Sequence, residues 1–352
     1  MQTYNVAVVG ALGLVGSTMV RILEEYEFPV RELRLLEAKG LAGVPVSFRG
    51  QALTTAEARE EAFAGIDIAL FATNDEISAE LVPQAVRQGA IAIDNSKYFR
   101  MDPETPLVVP EVNPEDLAWH RGRIANPNCT TIATILALKP IHDVGTIRRV
   151  VASTYQSASG GAMAGMLELR RQASEFAAGV PVSPPAVFKY QLAFNLIPFI
   201  DAFEKDGYTR EEWKMIHETR KMLHAPEMRI TDTAVRVPTL VAHAVSVNIE
   251  TERKVTVAQA REAFARAPGV KLVDDVEQMQ FPQPLEVAGG NLTHIGRIRE
   301  DFSTANGLNL WLVSDNVRKG AAQNAVQIAQ LLVQQGHLET WRAARKGAVV
   351  SA

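Results

Sequence analysis

The chemistry open to this chain starts from its one cysteine. Cys129 stands in Asn126-Pro127-Asn128-Cys129-Thr130-Thr131, followed by Ile132, Ile135, Leu136 and Leu138 at helical spacing, with Pro140 expected to end the helix. That pattern puts the thiol at or just before the first turn. Free amide N–H groups and the positive end of the helix dipole there favour thiolate over thiol. A buried filler cysteine belongs inside the apolar stripe, not ahead of it. Cys129 therefore reads as a reactive thiol suited to acyl chemistry.

A nucleophilic thiolate needs a proton-transfer partner. Among seven histidines, His243 alone interrupts an apolar strand, Val235 to Ile249, and shares parity with Val245, Val247 and Ile249. It faces inward, either as a satisfied core residue or as that partner. Arg236 precedes it by seven positions, which in a regular strand puts the two on opposite faces. Pro238 removes a ladder donor between them, so a bulge or bend could bring both to one site.

A second constellation is the glycine turn Gly10-Ala11-Leu12-Gly13-Leu14-Val15-Gly16. Its G-x-x-G-x-x-G spacing serves a tight turn, close backbone approach to a pyrophosphate and a helix N-terminus aimed at negative charge. Three glycines can also simply make a strand-to-helix turn; the preceding strand and following amphipathic helix favour cofactor binding. Glu37 ends the next strand 21 residues after Gly16 (37 − 16), where an acid accepts hydrogen bonds from the ribose of NAD and repels a 2′-phosphate. Lys39 could instead pair with that phosphate, or both could be solvated charges.

The elements that must position these residues change character along the chain. Apolar runs at Val6 to Val9, Leu33 to Leu36, Ile66 to Phe71 and Ala90 to Ile93 alternate with helical patterns, which predicts a doubly wound parallel sheet. Beyond Cys129, the longer segments Arg148 to Ser153 and Arg236 to Glu250 alternate in part and suit a mixed or antiparallel sheet. A helix is expected near Met163 to Phe176, and a last one over Gly320 to Gln335 with Ala325, Ile328 and Leu332 on one face. The expected division is residues 1–128 with 320–352 as a cofactor domain and 129–319 as an α+β catalytic and dimerisation domain.

Composition narrows the partners. The 352 residues are 47% hydrophobic and 22% charged, with a formal net charge of −4. That gives no electrostatic reason to expect nucleic acid or an anionic membrane. A single cysteine forms no intramolecular disulfide and suits a reducing compartment. No basic n-region opens the chain and no apolar stretch reaches membrane-span length, so a cytoplasmic location is expected.

Together these pieces resemble the aspartate-semialdehyde dehydrogenase family over nearly the whole chain. The landmarks are Gly10 to Gly16, Asp94-Asn95-Ser96 through Phe99-Arg100-Met101-Asp102, Leu107 to Asn113, Ile124 to Thr131, Ser153 to Ser157 and Phe194 to Pro198. They continue with Glu211-Glu212-Trp213-Lys214, Arg236-Val237-Pro238, His243, Ser314-Asp315-Asn316 and Arg318-Lys319-Gly320. The resemblance implies a Rossmann-type domain and NADPH-dependent reductive dephosphorylation of L-aspartyl 4-phosphate through a thioacyl enzyme. This reaction serves the biosynthesis of lysine and diaminopimelate, threonine, methionine and isoleucine.

By the same resemblance Cys129 is the nucleophile, His243 transfers protons and Gln156 supports the thioester. Arg236 clamps the α-carboxylate, Glu211 binds the α-amino group, and Arg100, Asn128 and Lys214 hold phosphate. Gly10, Leu12, Gly13, Leu14, Val15, Glu37, Lys39, Gly160 and Asn324 fall at cofactor positions, no metal is implied, and a homodimer or homotetramer is expected. A relative acting on another acyl donor, such as a malonyl thioester, is disfavoured by the amino-acid clamp of Arg236 with Glu211. A non-catalytic cofactor-binding protein is disfavoured because Cys129, His243 and Arg236 all remain.

The chain departs from the family pattern in places. Leu12 replaces a threonine, Thr73-Asn74-Asp75 an Ala-Gly-Gly stretch, Lys97-Tyr98 a Ser-Ala pair, and Ala244-Val245 a Ser-Glu pair. Glu37-Ala38-Lys39-Gly40 stands where Ser-Ala-Arg-Ser usually holds the 2′-phosphate, so NADP is the expected cofactor with NAD admitted by Glu37.

Overall fold

The computed structural model describes residues 2–350 of a chain that divides into two compact units. One takes the residues up to Pro127 together with those from Ala321 onward; the other is Asn128–Gly320.

The first unit is built on β1 (Tyr4–Val9), α1 (Leu14–Glu25), β2 (Val30–Glu37), the hairpin β3 (Pro45–Phe48) and β4 (Gln51–Thr54), and β5 (Ala56–Glu57). It continues with β6 (Ile68–Phe71), α2 (Asp75–Arg87), β7 (Ile91–Asp94) and β8 (Arg123–Ala125). The sheet order is β5-β2-β1-β6-β7-β8, and every pairing in it is parallel. A parallel sheet must bury both faces, which is why its strands read as unbroken apolar runs. Val6, Val8, Ile68 and Leu70 pack on one side with Met19 and Ile22 of α1. Ala7, Val9, Ala69 and Phe71 pack on the other with Leu81 and Val82 of α2.

The second unit opens with α3 (Cys129–Gly145), then β9 (Ile147–Gln156), α4 (Ala162–Ala177), α5 (Arg210–Met222), β10 (Arg229–Arg236) and β11 (His243–Thr251). It ends with α6 (Val257–Arg266), β12 (Val270–Leu272), α7 (Pro284–Val287), β13 (Thr293–Asp301) and β14 (Gly307–Ser314). Its sheet runs β10-β9-β11-β14-β13-β12 and is mixed: β10 and β12 pair in parallel, the inner neighbours antiparallel. Helix α3 lies against β9, β11, β13 and β14. The chain then returns to the first unit with α8 (Gln323–Gln334) and α9 (His337–Val350).

Four local expectations need correction. Helix α1 begins at Leu14, so Gly16 belongs to its first turn and not to the loop before it. Pro140 lies inside α3, which runs on to Gly145. Proline removes one intrahelical hydrogen bond, at a cost of about 3 kcal/mol in an exposed helix, but α3 is apolar and buried almost throughout, and its packing holds it. The expected strand from Arg236 to Glu250 is two strands that flank β9, one parallel and one antiparallel to it. Finally, Arg318–Ala322 forms a π-type turn, so the last expected helix starts at Gln323; Ala325, Ile328 and Leu332 are buried as expected.

Candidate active site

Asn128 and the apolar run after it begin α3. The Asn128 side chain caps the helix, its Oδ1 accepting from Thr130 N at 3.0 Å and Thr131 N at 3.3 Å. Cys129 is thus the first helical residue, partly exposed, at the positive end of the dipole. Gly320 faces it: a Cβ there would lie 3.0 Å from Cys129 Cβ. Asp315 sets that approach, its carbonyl accepting from Gly320 N at 2.9 Å while its Oδ1 accepts from Val317 N and Arg318 N at 2.8 Å.

The strand ends bring the other residues to one place. Arg236 ends β10 as the register partner of Gln156, the last residue of β9, and His243 opens β11 beside them. The loop between β10 and β11 does what a bulge was expected to do. Arg236 is fixed by backbone bonds to Ile197 on its outer edge (3.0 and 2.8 Å) and donates from Nη1 to Ser157 O at 2.7 Å. Its guanidinium lies over the Phe188 ring, 5.4 Å from the centroid. Burial pulls its pKa down from the usual arginine value, while the charges of Glu211 and Cys129 act the other way. Arg236, Phe188, Lys189, Ile197 and Asp201 line a cavity of about 240 Å³. Gly160, expected beside the cofactor, leaves room for the Arg236 guanidinium, since a Cβ there would lie 2.4 Å from Nη1.

His243 is buried, and its Nδ1 accepts the Ser157 backbone N–H at 3.0 Å. The neutral ring therefore carries its proton on Nε2, which has no hydrogen-bond partner among the described residues. Burial, reinforced by Arg236, lowers the His243 pKa to about 3. Ala242 before it adopts a left-handed φ of 70°, and its N–H is held by Asn316 Oδ1 at 3.1 Å.

Helix α5 brings two carboxylates to Asn128 and Gln156. Its Thr209–Glu212 capping box fixes the start, and Glu211, Lys214 and Glu218 fall on one face at spacings of three and four. Glu211 Oε1 accepts from Asn128 Nδ2 at 3.0 Å and Gln156 Nε2 at 3.2 Å; Oε2 pairs with Lys214 at 2.8 Å. Burial opposes the charge on Glu211, but Lys214 and the three hydrogen bonds outweigh it and hold its pKa at about 2. Lys214 also pairs with Asp201 at 3.0 Å, and these carboxylates keep its pKa above the usual lysine value against burial. Glu218 Oε2 accepts the Asn128 N–H at 2.7 Å. Sequence reasoning missed Glu218, although its place two turns after Glu211 was a readable signal. It also missed Ser157 and Asn316, whose contacts are purely tertiary.

Apart from Gly160 of the second unit, the expected cofactor positions lie in the first unit. Gly10, Leu12, Gly13 and Glu37 line a cavity of about 560 Å³, while Leu14 and Val15 open α1. The glycines fit a dinucleotide cradle: a Cβ at Gly10 would lie 2.5 Å from Ala72 O, and one at Gly16 would lie 2.0 Å from Gly10 O. Glu37 is buried and its Oε1 accepts Leu12 N–H at 2.6 Å. Lys39 is exposed and outside the lining. Asn324 is buried, its Nδ2 donating to Val108 O at 2.9 Å and Asn126 Oδ1 at 2.7 Å. Arg100, also in this unit, donates from Nη2 to Asn95 O at 2.7 Å. Two departures from the family pattern answer each other here, because Lys97 pairs with Asp75 at 3.4 Å. Among the described residues no helix is long and apolar enough to cross a membrane, and no His, Cys, Asp and Glu cluster could hold a metal ion.

Comparison with known proteins agrees with this architecture. Residues 5–120 match the NAD binding domain family of semialdehyde dehydrogenases, and residues 138–319 match the semialdehyde dehydrogenase dimerisation domain family. The aspartate-semialdehyde dehydrogenase of Aquifex aeolicus is 45% identical over 336 residues, covering 95% of this chain and 99% of that protein. The Bacillus subtilis enzyme is 47% identical over 335 residues, with 93% and 97% covered. The crystal structure of aspartate semialdehyde dehydrogenase II complexed with ASA from Vibrio cholerae superposes with a TM-score of 0.92 at 44% identity, covering 95% of this chain and 99% of that one. The chain belongs to the aspartate-semialdehyde dehydrogenase family.

Proposed function

We propose that this chain catalyses reductive dephosphorylation of L-aspartyl 4-phosphate to L-aspartate 4-semialdehyde and phosphate with a nicotinamide cofactor. NADP is the family's expected form, and Glu37 admits NAD. The observation that carries the reading is the convergence of four groups: a thiol at a helix N-terminus, Arg236 within its electrostatic reach, and Gln156 and His243 on adjoining strand ends.

Cys129 sulfur attacks the acyl carbon; a C–S bond forms while the C–O bond to phosphate breaks, and phosphate leaves with that electron pair. The α3 N-terminus and Arg236 place positive charge near the sulfur, which favours the thiolate. Arg236 also presents a planar guanidinium suited to the substrate α-carboxylate, and Glu211 supplies negative charge for the α-amino group. Asn128 and Lys214 are the proposed phosphate contacts in this unit; the share of Arg100 is proposed on the resemblance alone. Gln156 holds the thioester.

When bound, the reduced nicotinamide supplies the hydride that turns thioester into thiohemiacetal. With Nδ1 occupied by Ser157, His243 presents Nε2–H to the acyl oxygen and stabilises the alkoxide by hydrogen bonding; the alkoxide then re-forms the carbonyl and the C–S electron pair returns to Cys129 as thiolate. The dimerisation-domain match supports an oligomer, proposed here as a homodimer or homotetramer. Exposed Phe176, Tyr190, Phe194 and Leu196 offer apolar surface for it.

The test is phosphate-dependent oxidation of L-aspartate 4-semialdehyde with NADP and with NAD, in the parent and in Cys129→Ala. The parent is expected to turn over and the variant to be inactive with an unchanged circular dichroism spectrum. Activity retained by Cys129→Ala would sink the mechanism.

A further inference from the structure

We propose that the cofactor pocket selects the unphosphorylated ribose, so that the chain works with NAD(H) in preference to NADP(H), with Glu37 as the specificity-determining residue. This rests on reading the Gly10–Gly16 turn as a dinucleotide site. Four observations in the pocket support it.

First, the Glu37 carboxylate cannot swing aside. It is buried at the end of β2, its Oε1 is taken by Leu12 N–H at 2.6 Å, and its own carbonyl accepts Ala58 N–H at 2.7 Å. Oε2 remains as the acceptor for a ribose hydroxyl, the role an acid takes at this strand end. Second, the charged residues that line the cavity are Glu37 and Glu80, and among the described residues no lysine or arginine lines it. A 2′-phosphate carries about −1.5 to −2 at pH 7 and would meet only like charge. Third, Lys39, the nearest cation in sequence to the strand end, opens an exposed turn and lies outside the lining. Fourth, Leu12 and Leu41 put apolar groups into the lining. They offer no hydroxyl or guanidinium that could offset the repulsion.

The first measurement is fluorescence titration of the substrate-free protein with NADH and with NADPH; the second is kcat/KM with each oxidised cofactor. The parent is expected to prefer the unphosphorylated form by at least ~100-fold, which is ~2.7 kcal/mol at 1.36 kcal/mol per decade. Glu37→Gln keeps an acceptor for Leu12 N–H and removes the charge, so the preference is expected to shrink at least ~10-fold. Ala38→Arg leaves Glu37 in place and adds a cation to the pocket, so NADPH binding is expected to tighten at least ~10-fold. This second variant decides the matter should the first fail to fold. NADPH binding as tightly as NADH in the parent overturns the proposal alone. Binding of neither overturns it together with the dinucleotide reading of the turn.

Discussion

The Arg236 guanidinium rests on the face of Phe188, 5.4 Å from the ring centroid, and Glu168 keeps the ring there. The Glu168 carboxylate, buried on α4, accepts the backbone N–H groups of Ala186 at 2.6 Å, Val187 at 2.7 Å and Phe188 at 3.3 Å. Gly161 and Gly165 leave room for the ring, since a Cβ at either would lie 3.1 or 2.8 Å from it. One side of the guanidinium is therefore packed, one edge is tied to Ser157, and the remainder is presented to the cavity.

A desolvated cation–π contact is worth up to about 2 kcal/mol. Phe188→Leu is thus expected to raise the KM for aspartate semialdehyde roughly 5- to 30-fold with little change in kcat, and Phe188→Tyr to restore it. Steady-state kinetics on the three proteins check this. An equal fall in kcat and kcat/KM would show that Phe188 acts on the chemistry and not on the carboxylate clamp.

Gly320 gives the second prediction. A methyl group there would press on Cys129 Cβ at 3.0 Å, so the thiol must shift in Gly320→Ala. Relief of that contact takes a shift of a few tenths of an ångström, and since misplacement by about 1 Å costs on the order of 100-fold in rate, a smaller loss is expected here. Because Cys129 is the only cysteine, its alkylation by iodoacetamide can be followed without interference. Gly320→Ala is expected to slow both alkylation and turnover while the melting temperature changes little. Parent-like alkylation would mean the contact relaxes without moving the sulfur.

Much of this site was legible because its signals are local. An apolar run at helical spacing placed Cys129 at a helix tip, and an acid closing the second strand marked the cofactor end of the sheet. What stayed hidden was decided by tertiary structure. Pro140 stops a helix by propensity, yet α3 continues because it is buried against the sheet. Arg236 and His243 share a site because each strand pairs with a different edge of β9, and no periodicity within their own segment records that. Likewise the His243 tautomer is set by a backbone N–H 86 residues away.

That tautomer shapes the third prediction. The folded pKa of His243, about 3, lies below its ordinary 6.5, so the native state binds fewer protons between those values. Its neutral form contributes stability that is present above about pH 6.5 and lost as pH falls toward 3. Over pH 6 to 9 the ring does not change charge. His243→Gln is therefore expected to lower kcat by about 10²- to 10⁴-fold uniformly across that range, and to flatten the acid-side loss of melting temperature. A kcat/KM inflection near pH 6.5 that vanishes in the variant would refute a neutral donor.

Asp232 carries the opposite sign. It shares the buried face of β10 with Ala234 and Arg236, and among the described residues no side chain pairs with its carboxylate; only the Thr233 backbone favours its charge. Burial first, then the nearby charges of Glu211 and Glu212, push its pKa well above the ordinary 3.8. A carboxyl whose folded pKa is raised is at ease below about pH 3.8, and its contribution is lost as pH rises toward the folded value. At neutral pH the protein must either keep a proton on Asp232 or bury an unpaired charge, and both weaken the fold. Asp232→Asn, equal in size and uncharged, is expected to raise the melting temperature by roughly 2–6 °C at pH 8 and by nothing measurable near pH 4. Scanning calorimetry of parent and variant across that range gives the difference directly. A variant less stable than the parent at pH 8 would mean that the Asp232 charge is matched by a partner and supports the fold instead of straining it.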